Sequence, residues 1–174
     1  MENTKNQLPP NAYIFFNQLK TYLNTKLYFF GSIQRTDYFP IASDIDVDIF
    51  TDNIHSTILK LHHFLSVERK KIKKIIWKLN NNNKVIIGYK IFYTHPEYNF
   101  SAEISINEEK YKEYVLKEHN GKNVLPFYAS WLLIILKFIY YKLHLIPHEW
   151  FKYFKKIILS TLIFKKDDHY IVLK

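Results

Sequence analysis

The chain has 174 residues, of which 48% are hydrophobic and 18% aromatic, and it contains no cysteine. This length and composition predict one folded domain with a substantial core, and they exclude disulfides and thiolate metal sites. The formal net charge is +9 at pH 7 and is carried almost entirely by lysine. Such an excess favours polyanionic partners such as nucleotides or nucleic acid. An AT-rich coding sequence would raise the lysine content without any function, so both interpretations stay open.

No targeting or membrane segment stands out in the sequence. The polar N-terminus lacks the apolar stretch of a signal peptide. The longest apolar run, 131–136, ends at Lys137 and is too short to span a bilayer. We therefore expect a cytoplasmic, intracellular protein with no membrane partner.

Periodic apolar residues predict the elements in chain order. They are a flexible tail over 1–10, a helix over 11–23, a strand over 27–30, an acidic strand within 43–50, a helix from about 54 to 65, strands over 71–79, 85–94 and 100–106, and helices over 108–119, 126–145 and 148–164. The last three strands follow one another through short turns, which predicts an antiparallel meander. We expect the helix over 108–119 to end at Asn120-Gly121, because glycine readily adopts the left-handed cap conformation.

The predicted fold class is α/β in the wider sense (α+β), a mixed sheet with flanking helices. We expect a core over 11–107 and an all-helical C-terminal extension over 108–174 that packs on this core, the two forming a single compact domain. The apolar positions of the helix over 126–145 run nearly all round it. Such a helix is either deeply buried or an interface with a second copy or a partner.

The acidic strand carries the clearest chemical signal in the sequence. Asp44, Asp46 and Asp48 alternate with aliphatic residues, so the three carboxylates share one face while the aliphatic side chains point into a core. Three carboxylates on one face repel one another and add nothing to folding. Divalent cations relieve this repulsion, with phosphate oxygens and water completing the coordination shell. The alternative is a polar strand face in contact with water.

The complementary half of a site follows the first predicted strand. Gly31 breaks that strand, and a short helical turn follows it. Glycine lets the backbone approach a phosphate closely, and exposed N–H groups at the start of a helical turn favour an anion. Ser32 adds a hydroxyl donor. The alternative is an ordinary turn from strand to helix.

These two stretches together resemble a known signature. Gly31-Ser32 is followed after eleven residues by Asp44-Ile45-Asp46-Val47, which resembles the Gly-Ser and Asp-x-Asp motifs of the polymerase-β-like nucleotidyltransferase superfamily. The resemblance covers roughly residues 27–107 and implies a nucleotidyltransferase-like sheet. It also implies transfer of a nucleoside monophosphate from a nucleoside triphosphate, with two Mg²⁺ (or Mn²⁺) ions held by carboxylates including Asp44 and Asp46.

The resemblance further implies a third carboxylate on a later strand, and Glu103 is the best candidate. It shares a strand face with Ser105, opposite Ala102 and Ile104. In the family this acid helps to position or deprotonate the acceptor hydroxyl, although aspartate is the more frequent residue there. The alternative is a solvent-facing glutamate. Asp48 lies two residues beyond the Asp-x-Asp motif. For this residue a supporting or structural role is at least as well supported as metal binding.

Arg35 lies three residues after Ser32, on the same side of a helical turn. We expect either a bidentate clamp on the triphosphate or an ion pair with Asp37 or Asp44.

Two larger sets of residues have no assigned role, and each is consistent with a simple structural interpretation. The lysines Lys70, Lys71, Lys73, Lys74 and Lys78 either line a groove for a polyanionic acceptor or form a solvated strand face, and the aromatic residues Tyr38, Phe39, Trp77 and Tyr93 either stack a base or belong to the core.

The resulting hypothesis is a metal-dependent nucleotidyltransferase that uses an NTP, ATP being the expected one, and releases pyrophosphate. The acceptor stays open between a nucleic-acid end, a protein side chain and a second nucleotide. The alternative is a binding or regulatory module that keeps this fold without turnover, or a subunit that depends on a partner bound through the C-terminal helices. The three glycines of the chain form no Walker-type or Rossmann-type loop, and the histidines show no metal-ligand spacing.

Overall fold

A six-stranded mixed sheet forms the centre of the molecule in the computed structural model, which describes residues 3–40, 42–79, 84–98, 100–162 and 170–172. The strands are β1 (Leu27–Phe30), β2 (Ile45–Thr51), β3 (Lys73–Lys78), β4 (Val85–Thr94), β5 (Ser101–Glu108) and β6 (Tyr170–Val172). The helices are α1 (Pro10–Leu23), α2 (Ile54–Leu65), α3 (Lys112–Asn123), α4 (Phe127–Tyr141) and α5 (His148–Leu162).

The strand order across the sheet is β1-β2-β5-β4-β3-β6. Strands β2 and β5 are parallel, and every other neighbouring pair is antiparallel. The structure therefore confirms the predicted mixed sheet with flanking helices and the meander of β3, β4 and β5. The parallel pair sets the acidic strand directly beside the strand of Glu103, and Asp46 is in register with Glu103.

The main core lies between one face of the sheet and the helices α1 and α2. Ile45, Val47 and Ile49 of β2 are all buried there, as the alternating pattern predicts. Asn53 begins α2, since its side chain accepts a hydrogen bond from the backbone N–H of Ser56 at 3.0 Å. The acids of β2 and β5 consequently lie on the opposite face of the sheet.

Helix α3 covers one end of that opposite face. Val115 of α3 is fully buried with Tyr28, Phe50, Trp77 and others in a second, smaller core. This cover ends near His119, which stacks on Phe30 with ring centroids 3.9 Å apart. The acidic face is thus closed under α3 and more open beyond it.

The prediction that Asn120-Gly121 ends this helix is wrong. Helix α3 continues to Asn123, and Gly121 does not have a positive φ. The helix ends where Val124 becomes extended, two residues before Pro126. Proline disfavours helical backbone in the residue that precedes it, so Pro126 is the stronger stop signal.

Two further expectations for the C-terminal part need correction. Helix α4 ends at Tyr141 rather than near 145, and His144 with its φ of 52° marks the turn before Pro147. The extension is also not all-helical, because β6 pairs with β3 at the edge of the sheet. The predicted helix end at 164 lies outside the described residues.

The segment predicted as a flexible tail lies against the turn after β1. The amide of Asn6 donates from Nδ2 to the backbone oxygens of Ile33 and Arg35, at 3.0 and 2.6 Å.

Helix α4 exposes a broad apolar face that includes Phe127, Trp131 and Ile135. Use of the C-terminal helices as an oligomer or partner interface stays a prediction.

No single helix in the described part of the chain is long and apolar enough to cross a bilayer. One pair, Glu109–Asn123 with Phe127–Tyr141, reaches the required length and apolarity only together, and its two members are bent by 83°.

A buried ion cluster joins α4 to the loop that leads into β2. Asp37 is fully buried, and its Oδ1 accepts a hydrogen bond from Nε of Arg35 at 2.7 Å. Lys137 of α4 is 2% exposed and donates from Nζ to the backbone oxygen and to Oδ2 of Asp37, at 2.6 and 2.9 Å. Its Nζ also lies 3.4 Å from Oγ of Ser43, the residue before Asp44. The cluster therefore fixes the start of the acidic strand.

Charge balance inside this cluster depends on Asp37. Burial would raise the pKa of Asp37, but the hydrogen bond and charge of Arg35, together with those of Lys137, lower it from 3.8 to about 2. Burial lowers the pKa of Lys137, against the opposing influence of Asp37. Because the folded-state pKa of Asp37 is depressed, its stabilisation is present above pH 4 and is lost as the pH falls towards 2.

We predict that Asp37→Asn lowers the free energy of unfolding by about 3–5 kcal/mol, because it leaves two buried cations without their shared anion. The control is Asp52→Asn at an exposed position, which should change the stability by less than about 0.5 kcal/mol. Denaturant titration measures both. The difference between Asp37→Asn and the wild type should narrow as the pH falls from about 4 to about 2. A variant as stable as the wild type at neutral pH would contradict this account.

Candidate active site

Three predicted site residues meet at the open end of the acidic face. Asp46 of β2 and Glu103 of β5 are register partners on adjacent parallel strands, and both are half-buried. Asp44 directly precedes β2 and is exposed. Asp44, Asp46 and Glu103 therefore form a carboxylate row across two strands, and Asp48 continues the row on β2 under α3.

The Gly31-Ser32 turn contacts this row directly. Gly31 has a φ of +70°, and it begins a 3₁₀ turn (Gly31–Gln34) immediately after β1. A Cβ atom added at Gly31 would lie 1.9 Å from Oδ2 of Asp46. Only glycine meets both the left-handed backbone and the close approach of the carboxylate. The turn and the acid motif, eleven residues apart in sequence, are thus one packed unit.

The row is an electrostatically crowded site. Burial is the largest influence on the pKa of Asp46 and raises it, and the charges of Glu103 and Asp44 add to this, giving a value of about 7. Lys155 of α5 and Arg35 act in the opposite direction. A carboxyl group whose pKa is raised by burial and by neighbouring carboxylates marks a region where a bound cation would be stabilised.

A lysine from the neighbouring strand already offsets part of this charge. Nζ of Lys90 on β4 forms an ion pair with Oε1 of Glu103, and both side chains are largely buried. Within the described residues, no group of three or more His, Asp or Glu side chains is arranged to hold a metal by protein ligands alone. Magnesium in proteins is commonly bound by one or two carboxylates together with substrate phosphates and water, and the row provides these carboxylates.

Arg35 has the ion-pair geometry that the sequence offered as an alternative. It is 9% exposed and bridges Asp37 through both Nε and Nη2, at 2.7 and 3.1 Å. Its guanidinium is therefore engaged beside the site, and a direct contact with a triphosphate stays a prediction. Ser32 is buried in the turn. The lysines of the β3 region, Lys70, Lys71, Lys73, Lys74 and Lys78, are all exposed, and their groove role is untested.

Sequence reasoning missed several residues around the row. Lys155 and Lys90 approach the acids from α5 and β4, and neither belongs to a local motif. Asp48 is 1% exposed, with Asn107 donating from Nδ2 to its Oδ1 at 3.2 Å. His119 lies beside it, with Nε2 2.9 Å from the other oxygen. The alternation of β5 places Asn107 on the face of Glu103 and could have indicated its location, but no sequence signal places His119 there.

We predict that Gly31→Ala displaces the Asp46 carboxylate and lowers the free energy of unfolding by about 1–3 kcal/mol, through backbone strain and the clash. The control is Gly121→Ala, because nothing lies within 4 Å of a Cβ at that position. In the helix α3 it should raise the stability by about 0.5–1 kcal/mol. Thermal and denaturant unfolding compare the two, and a Gly31→Ala variant of wild-type stability would show that the contact is not as tight as described.

Comparison with known proteins identifies the family of the chain. The model of the family described as the nucleotidyltransferase domain matches residues 14–115, which include the turn, the acidic strand and Glu103. No curated protein matches the chain. Among solved structures, a chain from the structure of the GLD-2/RNP-8 complex aligns with 94% of this chain at 12% identity, with a TM-score of 0.37. The alignment covers 66% of that longer chain. On the strength of the family match, which spans more than half of its length, this chain belongs to the nucleotidyltransferase domain family.

Proposed function

We propose that the protein is a metal-dependent nucleotidyltransferase that transfers a nucleoside monophosphate from an NTP, ATP in the first instance, to an acceptor hydroxyl. The observation that carries the proposal is the packing of Asp46 between Gly31 and Glu103. A glycine turn and two carboxylates are thereby held together in one half-buried row. This is the arrangement that phosphoryl transfer requires, since its catalysis consists of positioning and charge neutralisation.

The carboxylates fit a divalent cation because they crowd negative charge that the protein only partly offsets. In the proposal Asp44 and Asp46 hold two Mg²⁺ (or Mn²⁺) ions, and Glu103 completes the ligand set on the acceptor side. The ions, when bound, would neutralise phosphate charge and favour ionisation of the attacking hydroxyl. Gly31 and Ser32 bind the triphosphate through the backbone N–H groups of the turn and the Ser32 hydroxyl.

The reaction is an in-line displacement at the α-phosphorus. The acceptor oxygen forms a bond to this phosphorus, and the bond from the phosphorus to the bridging oxygen of the β-phosphate breaks. The electron pair leaves with pyrophosphate. Glu103 orients the acceptor hydroxyl and takes its proton, which requires that Lys90 yields part of its contact with the carboxylate.

The C-terminal helices complete the site by supplying positive charge. Lys155 of α5 is the largest cationic influence on Asp46, which supports a role for this lysine in neutralising charge near the row. We therefore assign Lys155 to the triphosphate. Arg35, through its pair with Asp37, supports the turn that carries Ser32 and adds a weaker cationic influence.

One observation favours the alternative of a binding or regulatory module without turnover. Lys90 pairs with Glu103, so the third carboxylate of the row already has a protein cation as its partner. If this pair stays closed when the nucleotide binds, the proton of the acceptor has no base. A module of this kind would bind the metal–nucleotide complex and transfer nothing.

The decisive experiment incubates the protein with NTPs labelled at the α-phosphate, Mg²⁺, and RNA, DNA, protein and free nucleotides as separate acceptors. We predict that the wild type moves the label onto one acceptor class. The variants Asp46→Asn and Glu103→Gln should lower this transfer by about 10²–10⁴-fold, because each removes charge stabilisation or the proton acceptor. Asp52→Asn is the matched control and should transfer like the wild type.

The outcomes separate the two functions. Metal-dependent nucleotide binding that Asp46→Asn abolishes, without transfer to any acceptor, would support the regulatory module over the enzyme. Absence of both transfer and binding would contradict nucleotidyl transfer and leave the fold in another role.

We also predict that Lys155→Met raises the KM for Mg–ATP by about tenfold with a smaller change in kcat, since it removes a charged contact worth about 1–2 kcal/mol. Lys152→Met is the matched control on the same helix, at an exposed position. Steady-state kinetics with the identified acceptor gives both constants. Equal KM values for the two variants would remove Lys155 from the triphosphate site.

A further inference from the structure

A pocket opens beside the carboxylate row, at the edge of α3. It has a volume of about 230 Å³ and lies on the same sheet face as the row. Its lining combines aromatic and aliphatic side chains with buried polar ones. The lining residues include Phe30, Asp48, Ile75, Trp77, Glu103 and His119.

Aromatic rings form one wall of this pocket. His119 is stacked between Phe30 and Trp77, with ring centroids 3.9 and 5.5 Å away and interplanar angles of 16° and 29°. Ile75 and Trp77 of β3 are both buried. Phe30 is the most exposed of these three rings and gives the pocket an apolar ring surface against which a planar ring could pack.

The pocket also contains a buried ion pair between Asp48 and His119, whose facing atoms lack an aligned hydrogen bond. Among the described residues, Oδ2 of Asp48 and Nε2 of His119 have no hydrogen-bond partner of good geometry, although the two residues are only 1% and 7% exposed. The two atoms lie 2.9 Å apart without the alignment of a hydrogen bond. A carboxylate oxygen beside an imidazole nitrogen gives the pocket a polar end, to which a ligand with a donor and an acceptor could add aligned hydrogen bonds.

The position of the pocket connects it to one side of the reaction. Glu103, the proposed proton acceptor, lines both the pocket and the carboxylate row. Phe30, Lys90 and Glu103 are the more exposed lining residues, whereas Asp48 and Asn107 are buried. If a ring enters the pocket past Glu103 and points towards Asp48, the sugar attached to that ring stays near Glu103. Its hydroxyl then lies beside the proposed proton acceptor.

We infer that this pocket binds the nucleobase of the acceptor, so that the acceptor is a nucleotide unit whose ribose hydroxyl then lies at Glu103. The inference rests on the proposed function for the identity of the reaction, but not for the binding itself. The pocket is smaller than the ~300–1,000 Å³ pockets that hold drug-sized ligands, and its volume fits one heterocycle. Base edges carry adjacent donors and acceptors, which suit a carboxylate oxygen beside an imidazole nitrogen. A nucleic-acid 3′ end and a free nucleotide share this chemistry.

The binding test uses Trp77 as an internal fluorophore in a Trp131→Phe/Trp150→Phe background, in which both replaced residues are exposed. A non-hydrolysable ATP analogue with Mg²⁺ first fills the donor site. AMP should then change the Trp77 emission in a saturable way, whereas ribose 5-phosphate, which lacks the base, should not. An equal response to both, or no response to AMP, would overturn the inference even if the protein transfers nucleotides.

Filling the pocket supplies the matched variants. Ile75→Phe adds a ring inside it, and Ile87→Phe places the same change at an exposed position of the neighbouring strand. Ile75→Phe should weaken AMP binding about tenfold or more, in line with the loss of base stacking, while Ile87→Phe leaves it unchanged. Circular dichroism verifies that both variants fold. If the two variants bind AMP with equal affinity, AMP binds outside this pocket and the inference is wrong.

The activity arm distinguishes this inference from the proposed function. RNA oligonucleotides that end in a normal or an abasic 3′ nucleotide carry the same hydroxyl, and free AMP is the third acceptor. The normal end or AMP should accept label at least about tenfold better than the abasic end. Equal labelling of the two ends, or labelling of protein only, overturns the acceptor pocket and leaves nucleotidyl transfer standing. Absence of all labelling with intact AMP binding refutes the proposed function alone.

Discussion

The close contact between Gly31 and the Asp46 carboxylate is the constraint on which the arrangement of the site depends. It requires β1 to end beside the start of β2, and the antiparallel pairing of Phe30 with Asp46 provides this. It also requires a backbone that only glycine adopts readily, at a φ of +70°. The parallel pairing of β2 with β5 then brings Glu103 to the other side of Asp46. The topology of three strands is thus what concentrates negative charge at one point.

Such a concentration of charge has to be supported by the surrounding structure. The Asp37 cluster does this on one side, since Lys137 and Arg35 are buried against the same carboxylate and fix the loop before Asp44. On the other side of the row, Lys90 offsets negative charge through its ion pair with Glu103. Buried ion pairs add little net stability but are costly to break, so they specify the geometry more than they strengthen the fold. Helix α4 therefore serves the site by anchoring a loop, and α5 adds the charge of Lys155.

The sequence predicted the parts of this account that depend on local periodicity. Alternation in β2 and β5 placed Asp46 and Glu103 on one face, because the side-chain period of a strand is two. It could not show that Lys137 reaches Asp37 or that His119 reaches Asp48, since these pairs form only when distant elements pack. The end of α3 was misplaced for a different reason. Gly121 is a good cap residue in general, but its φ is not positive, and the helix ends where Val124 is extended, two residues before Pro126.

The most direct test of the central claim is to determine where a metal–nucleotide complex binds. A crystal structure with Mn²⁺ and a non-hydrolysable ATP analogue would locate the metal by its anomalous scattering. The account predicts manganese bound by the Asp44 and Asp46 carboxylates, with the triphosphate against the Gly31-Ser32 turn. Manganese and nucleotide bound away from this row, or no manganese there under saturating conditions, would contradict it.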